Sequence, residues 1–251
     1  MQKSSAIVLA AGRGTRMQTK TAKQYLEIAG HPLVWYSLKA LEESMIDTVV
    51  LVVPAGEEEE CRSEYVEKAG FRKVAAVIAG GETRSDSVLA GLRALADTAA
   101  KAGASMQLAD DDTEEGTFEE SFVFIQDCAR PLLTEEILQR GLEAVKTYGA
   151  CVAGMPVKDT IKVAAGDGRI LSTPERSTLW QVQTPQVFCY SWIRKAYEEW
   201  KKDGSPAVTD DAAVLERYSR HKVYLFYGSY ENIKITTPED IYLAETFLGH
   251  R

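Results

Sequence analysis

Histidine and cysteine are sparse in this chain: His31, His221 and His250, with Cys61, Cys128, Cys151 and Cys189. The cysteines lie far apart and form no Cys-x-x-Cys pair, which argues against a zinc site or a disulfide framework and fits a reducing compartment. None of the histidines falls inside the motifs below, and no Gly-x-Ser-x-Gly turn occurs, so acyl transfer and histidine-based acid–base chemistry are disfavoured. No apolar run approaches the length of a membrane span. An apolar strand read from about residue 5 leaves no room for a signal peptide, so a cytoplasmic location is expected. A surplus of positive charge is also missing. The formal charge of −8 argues against nucleic acid or an acidic membrane surface as the main partner.

What is present suits a single large α/β domain: 251 residues, 45% hydrophobic and 26% charged. The most informative stretch is Ala6-Ile-Val-Leu-Ala-Ala-Gly-Arg-Gly-Thr-Arg-Met17, followed by Lys23-Gln24-Tyr25. An apolar strand empties into a loop whose Gly12 and Gly14 let backbone amides approach a phosphate, while Arg13, Arg16 and Lys23 add positive charge. No Gly-Lys-Ser/Thr follows, so this is not the phosphate loop of ATPases. Met17 stands where a dinucleotide fingerprint needs its third glycine. On an acidic protein, this local basic loop points to a small anionic ligand such as a polyphosphate.

Strand and helix patterns alternate along the chain. Ala6–Leu9, Thr48–Val53, Val74–Ile78 and Phe122–Gln126 read as buried strands. Leu33–Glu43, Glu57–Ala69, Ser85–Leu95 and the segment after Thr134 read as helices, with Ser85 and Thr134 as caps. This order predicts a mostly parallel, twisted sheet with helices on both faces, and a ligand site beyond the carboxyl ends of the strands. After residue 150 the pattern changes. Cys151–Pro156 reads as a strand, and Thr160–Val163 with Ile170–Ser172 flank a hairpin-like Ala165-Gly-Asp-Gly168 turn, giving a projecting β-arm. Val223–Tyr227 is a late strand and Pro238–Phe247 a closing helix. The acidic, small-residue run from Asp97 to Glu120 reads as a solvated surface excursion, not a metal site.

Five further segments carry chemistry. Gly80-Gly-Glu-Thr-Arg-Ser-Asp-Ser-Val88 lets backbone approach a planar base, with Arg84 able to touch phosphate or carboxylate and Ser87 a base edge; a polar loop capping the next helix is the plain alternative. Asp127-Cys-Ala-Arg-Pro131 places a carboxylate at a strand end, where Mg²⁺ could be held with phosphate oxygens. Arg130 could pair with Asp127 or bind phosphate. Thr209-Asp-Asp-Ala212 offers Asp210 or Asp211 to the same metal, or a helix cap by Thr209. Trp180-Gln-Val-Gln-Thr-Pro-Gln186 lacks periodicity and reads as a binding loop. Lys234, read on a short strand, is either an exposed strand lysine or a phosphate ligand.

Together these words resemble the 2-C-methyl-D-erythritol 4-phosphate cytidylyltransferases of the non-mevalonate isoprenoid pathway. The resemblance rests on Leu9-Ala-Ala-Gly-x-Gly-x-Arg-Met17, Lys23-Gln-Tyr25, Gly80-Gly-x-x-Arg84, Asp127-x-Ala-Arg-Pro131, Asp159-Thr-Ile-Lys162, Gln183-Thr-Pro-Gln186 and Asn232-Ile-Lys-Ile-Thr236, in that order. It implies a Rossmann-like, glycosyltransferase-A-like nucleotidyltransferase domain over residues 1–251, with an acidic insertion at about 97–120 and a dimerisation arm at about 150–175. It implies CTP and a sugar-alcohol phosphate as substrates, Mg²⁺ as cofactor and a homodimer. Ala10, Ala11, Gly12, Gly14, Gly81, Glu82 and Ser87 would frame the nucleotide. Arg16, Lys23 and Lys234 would be catalytic, and Asp127 with Asp210 would lie near the metal. Arg130, Thr173, Thr184 and Lys234 would bind the acceptor. Ribitol 5-phosphate cytidylyltransferases share most of these words, and a nucleotide-binding protein without turnover is the alternative from another class. Ala22, Cys128, Glu82 and Val163 depart from the family's usual residues.

Overall fold

A computed structural model of the chain describes residues 3–12, 22–103 and 121–250. Its first half runs β1 (Ser4–Leu9), the short pair β2 (Glu27–Ile28) and β3 (His31–Pro32), α1 (Leu33–Glu42), β4 (Thr48–Val53), α2 (Glu58–Cys61), β5 (Val74–Ala79) and α3 (Arg84–Lys101). The second half runs β6 (Phe122–Asp127), α4 (Glu135–Tyr148), β7 (Ala150–Pro156), β8 (Val163–Ala164), β9 (Ile170–Ser172), β10 (Trp180–Cys189), α5 (Tyr190–Lys202), α6 (Asp211–Tyr218), β11 (Tyr224–Tyr227) and α7 (Pro238–Leu248).

Among the described residues, the main sheet has seven strands in the order β11-β7-β10-β6-β1-β4-β5. Every neighbouring pair is parallel except the two made by β10. Burial on both faces explains the unbroken apolar runs of β1, β4 and β6. The register shows which helix covers which face. Ile7 pairs with Ile125, which pairs with Gln186, and Gly91 of α3 lies directly on Ile7. Ala6, Phe124 and Val187 point to the opposite face, where Gly141 of α4 packs against Phe124, Val187 and Phe226. At Gly91 a side chain would hold the helix off the sheet, and at Gly141 it would need its side-chain neighbours to shift slightly.

Several sequence expectations are corrected. The segment 180–186 is no binding loop. It is the start of β10, which lies wholly within the sheet, and its alternation is hidden because Gln183, Thr184 and Gln186 are buried polar residues with internal partners. Helix α3 continues to Lys101, so the first residues of the acidic run are helical; residues 104–120 lie outside the described residues. The helix expected over Glu57–Ala69 becomes α2 and a π-helical stretch, Arg62–Glu67. Thr83, not Ser85, caps α3 in a reciprocal box with Asp86, and Asp210, not Thr209, caps α6. The extended segment holding Lys234 is not a strand. Helix α5 has no counterpart among the elements expected from the sequence.

Within the stretch expected to form the arm, β8 and β9 pair as a two-stranded ribbon, with Ile170 and Leu171 each 58% exposed. Among the described residues, no helix is long and apolar enough to cross a membrane.

Candidate active site

Beyond the carboxyl ends of β1, β5 and β6 lies a cleft of about 390 Å³. Its described walls are Ala10, Ala11 and Gly12 after β1, Lys23 and Gln24, the loop Gly81–Arg84 with Ser87, Asp127–Ala129 after β6, and Lys234 with Thr236. Parallel strands end together here because their hydrogen bonding runs on past the strands: Ala10 N donates to Val52 O at 2.7 Å and Cys128 N to Leu9 O at 3.0 Å. Arg16 and Gly14 lie outside the described residues.

The nucleotide wall is built for close backbone approach. A Cβ on Gly80 would stand 2.5 Å from Ala11 Cβ and 2.8 Å from Ser87 Oγ, and one on Gly81 would collide with Asp86 Cβ. Ser87 Oγ accepts from Gly81 N at 3.1 Å and donates to Thr83 O at 3.0 Å. Ser87 therefore shapes the loop from beneath. The same loop opens α3, so the helix N-terminus faces the cleft and favours anions there. Glu82 is exposed at the rim.

Lys23 opens a one-turn 3₁₀ helix, Lys23–Tyr25. Tyr25 braces that turn: its ring stacks on Tyr65 with centroids 4.8 Å apart, and its hydroxyl donates to Glu57 Oε2 at 2.8 Å. Neither Glu57 nor Tyr65 was singled out from sequence, because nothing in their spacing from Tyr25 marks a contact.

Opposite stands a chain of charges. Asp127, at the end of β6 and 8% exposed, receives Arg84 Nε on Oδ1 at 3.1 Å and Lys234 Nζ on Oδ2 at 2.6 Å. Burial would raise the Asp127 pKa, but Arg84, Lys234 and Arg130 outweigh it and hold the carboxyl well below the usual carboxylate range. Arg84 in turn grips Asp211 with both terminal nitrogens, at 2.9 and 2.8 Å. Beside Asp127, burial pushes the Cys128 thiol pKa upward against the pull of Lys23, leaving it a neutral lining group.

The remaining expected acceptor residues have other surroundings. Arg130 does not pair with Asp127: Nη1 donates to Asn232 O at 2.7 Å and Nη2 to Val182 O at 3.4 Å. Thr184 is buried and accepts from Asp127 N at 3.1 Å. Asn232 donates to Thr184 O at 2.9 Å, tying the Lys234 segment to β10. These residues form the floor that orients Asp127 and Lys234. Thr173 is exposed on the arm, where its hydroxyl accepts from Lys162 Nζ at 2.7 Å; it does not line the described cleft.

Asp210 has partners of its own. Its Oδ1 accepts from Ala213 N at 2.9 Å as the α6 cap, and its Oδ2 accepts from Gln186 Nε2 at 3.0 Å. Both oxygens serve structure, and the residue is not among the cleft walls. Among the described residues there is no cluster of three or more His, Cys, Asp or Glu side chains for a metal. Asp127 is a carboxylate on the described cleft wall that could hold Mg²⁺ with phosphate and water, sharing its oxygens with Arg84 and Lys234.

Comparison with known proteins follows the same lines. The sequence model of a family described as IspD: 2-C-methyl-D-erythritol 4-phosphate cytidylyltransferase matches residues 4–106 and 114–250. The unmatched stretch falls within the acidic run. The protein of that name from Pelotomaculum thermopropionicum is 45% identical over 252 residues, covering 100% of this chain and 96% of its own. The one from Alkaliphilus oremlandii is 41% identical, covering 100% and 97%. The crystal structure of 4-diphosphocytidyl-2C-methyl-D-erythritol synthase from Anaerococcus prevotii superimposes with a TM-score of 0.77 at 29% identity, covering 99% of this chain and 96% of that one.

Proposed function

The chain belongs to the 2-C-methyl-D-erythritol 4-phosphate cytidylyltransferase family, and on that premise we propose how its residues transfer a cytidylyl group from CTP to that phosphate in non-mevalonate isoprenoid synthesis. A phosphate oxygen of the acceptor attacks the α-phosphorus of CTP. The new P–O bond forms as the bond to the β-phosphate oxygen breaks, giving 4-diphosphocytidyl-2-C-methyl-D-erythritol and pyrophosphate.

No general base is needed. A phosphate monoester has a second pKa of roughly 6 and is largely dianionic near neutrality, and no histidine lines the described cleft. The task of the protein is to orient two polyanions and to neutralise charge on the α-phosphoryl oxygens. The Ala10–Gly12 and Gly81–Glu82 backbones receive the nucleotide, a role that the sequence also gives Gly14. Arg16 and Lys23 take the triphosphate. Lys234 takes the acceptor phosphate, with Arg130 and Thr184 acting from the floor. When bound, Mg²⁺ would screen the triphosphate charge, with Asp127 as its protein carboxylate. The observation that carries this reading is the meeting of the glycine walls, Lys23, Asp127 and Lys234 around one cleft.

The exposed β8–β9 ribbon supports a homodimer in which the arm, with Thr173, reaches the partner's cleft. A cytoplasmic setting accords with four free, buried cysteines. The test is pyrophosphate release with CTP and Mg²⁺, comparing methylerythritol 4-phosphate with ribitol 5-phosphate. Preference for the first is expected. Preference for the second would reassign the acceptor, and release with neither would overturn the reading.

A further inference from the structure

We infer that Asp211 and Tyr197 are positioning residues for the transfer reaction, acting through Arg84 on the Asp127–Lys234 pair. The inference rests on the cleft being the transfer site. An arginine in the first turn of a helix that faces a phosphate cleft would ordinarily present its forked end to the phosphate. Here the fork points the other way. Nη1 and Nη2 of Arg84 both donate to Asp211, which is fully buried. The Tyr197 hydroxyl, also buried, donates to the same Asp211 Oδ1 at 2.6 Å. Only Nε of Arg84 is left for Asp127.

A planar guanidinium fixed along two edges cannot rotate about its last bonds. Asp127 is thus held from the α5–α6 side through Oδ1, while Oδ2 stays with Lys234. The charges of Arg84, Lys234, Asp127 and Asp211 cancel. Removing the charge of Asp211 leaves one surplus positive charge and a free fork beside the cleft. That fork would compete with Lys234 for Asp127 and for the acceptor phosphate. Neither Asp211 nor Tyr197 lines the described cleft, so their influence passes through Arg84. Asp211 makes Arg84 a brace, and leaves Lys234, with 39% of its side chain exposed, as the partner free to exchange.

The test uses the full chain and initial rates of pyrophosphate release at varied CTP and methylerythritol 4-phosphate. Asp211→Asn should raise KM for the acceptor roughly tenfold, the scale of one charge-assisted hydrogen bond, with KM for CTP within about twofold. Tyr197→Phe should move the same constant about threefold, as the loss of one neutral donor, and stands in if Asp211→Asn does not fold. In an Arg84→Lys background, either change should add less than about twofold, because coupled residues are not additive. Loss of folded protein would lower apparent kcat and leave both KM values in place. Equal movement of both KM values, or a full multiplicative effect in the Arg84→Lys background, would overturn the inference.

A second readout needs no turnover. In arginine side-chain ¹⁵N–¹H spectra, the Arg84 terminal protons should be separate and slowly rotating in the unaltered protein, averaged in Asp211→Asn and faster to exchange in Tyr197→Phe, where the fork keeps its Asp211 bonds. Free averaging in the unaltered protein would refute the brace. A wild-type enzyme that releases no pyrophosphate would sink the functional reading while these signals still judge the brace.

Discussion

Lys234 Nζ stands 2.6 Å from Asp127 Oδ2, although the two residues are 107 positions apart in the chain. A buried carboxylate thereby aims a half-exposed cation into the cleft before a phosphate arrives, which lowers the reorganisation needed on binding. Lys234→Ala should reduce kcat/KM for the acceptor by about 10²-fold, the scale for one contact to a phosphoryl oxygen. Calorimetric affinity for CTP should stay within about threefold, because removal of a rim cation leaves the nucleotide wall intact. A comparable loss for both substrates would move Lys234 away from the acceptor.

Lys23 lines the same cleft from the other side. Lys23→Ala should lower kcat by about 10²-fold or more. Tyr25→Phe keeps the stacking on Tyr65 and loses only the hydrogen bond to Glu57. That bond is worth about 1 kcal/mol, so urea unfolding should register a loss of that size, with a severalfold drop in kcat as the lysine's turn loosens. An unchanged kcat in Tyr25→Phe would separate the brace from the lysine.

Gly81 tests the nucleotide wall. A methyl group there would collide with Asp86 Cβ, a residue fixed in the capping box of α3. Gly81→Ala should therefore displace the loop and weaken CTP binding by tenfold or more, about 1.4 kcal/mol. Gly12→Ala meets nothing within 4 Å among the described residues, so its melting temperature should match that of the parent protein.

Acid stability should follow Asp240. Burial alone would raise its pKa, but the amides of Thr236 and Thr237, at 2.7 and 2.8 Å, and the Thr236 hydroxyl lower it. A folded-state pKa below the unfolded one stabilises the protein above the unfolded value, near 3.9. That stabilisation disappears as pH falls through the folded value. The stability gap between the parent and Asp240→Asn should therefore narrow on acidification from about pH 5 toward pH 2. A gap independent of pH would contradict this linkage.

The arm gives the last prediction. Ile170 and Leu171 leave more apolar surface in water than an isolated ribbon can bury alone. Ile170→Asp with Leu171→Asp should shift a dimer to a monomer in sedimentation and abolish turnover, with the melting behaviour of the core domain retained. A dimer that survives the pair of changes would place the interface elsewhere.

Much of this was legible in the sequence, for identifiable reasons. Thr48–Val53 was readable to the residue because a strand buried on both faces is an apolar run closed by Pro54. Asp127 was readable as a strand-end carboxylate, and Lys234 as one of two alternatives. What stayed hidden depends on long-range pairing. Gln183, Thr184 and Gln186 look like loop residues until β6, α6 and Asn232 supply their partners. Asp210 and Asp211 are adjacent and chemically identical in the sequence, yet the first caps a helix and the second anchors Arg84. Only the packing of α5 and α6 against α3 separates them, and no local pattern encodes that.

The place of β10 in the sheet has a consequence for how the protein comes into being. It is the piece that joins β6 to β7, yet it is among the later strands to be synthesised. A growing chain that has not reached Cys189 holds one part-sheet ending in an uncovered β6 edge, rich in Phe, Val and Ile, and a detached β7. Such an edge invites pairing with other chains. The Asp127 amide also lacks its Thr184 partner until then. Joining of the two part-sheets and bracing of the Asp127 amide thus come together and late, with Asp211, β11 and Lys234 following later still, so a product truncated before β10 would present the bare edge and lack most of one side of the cleft.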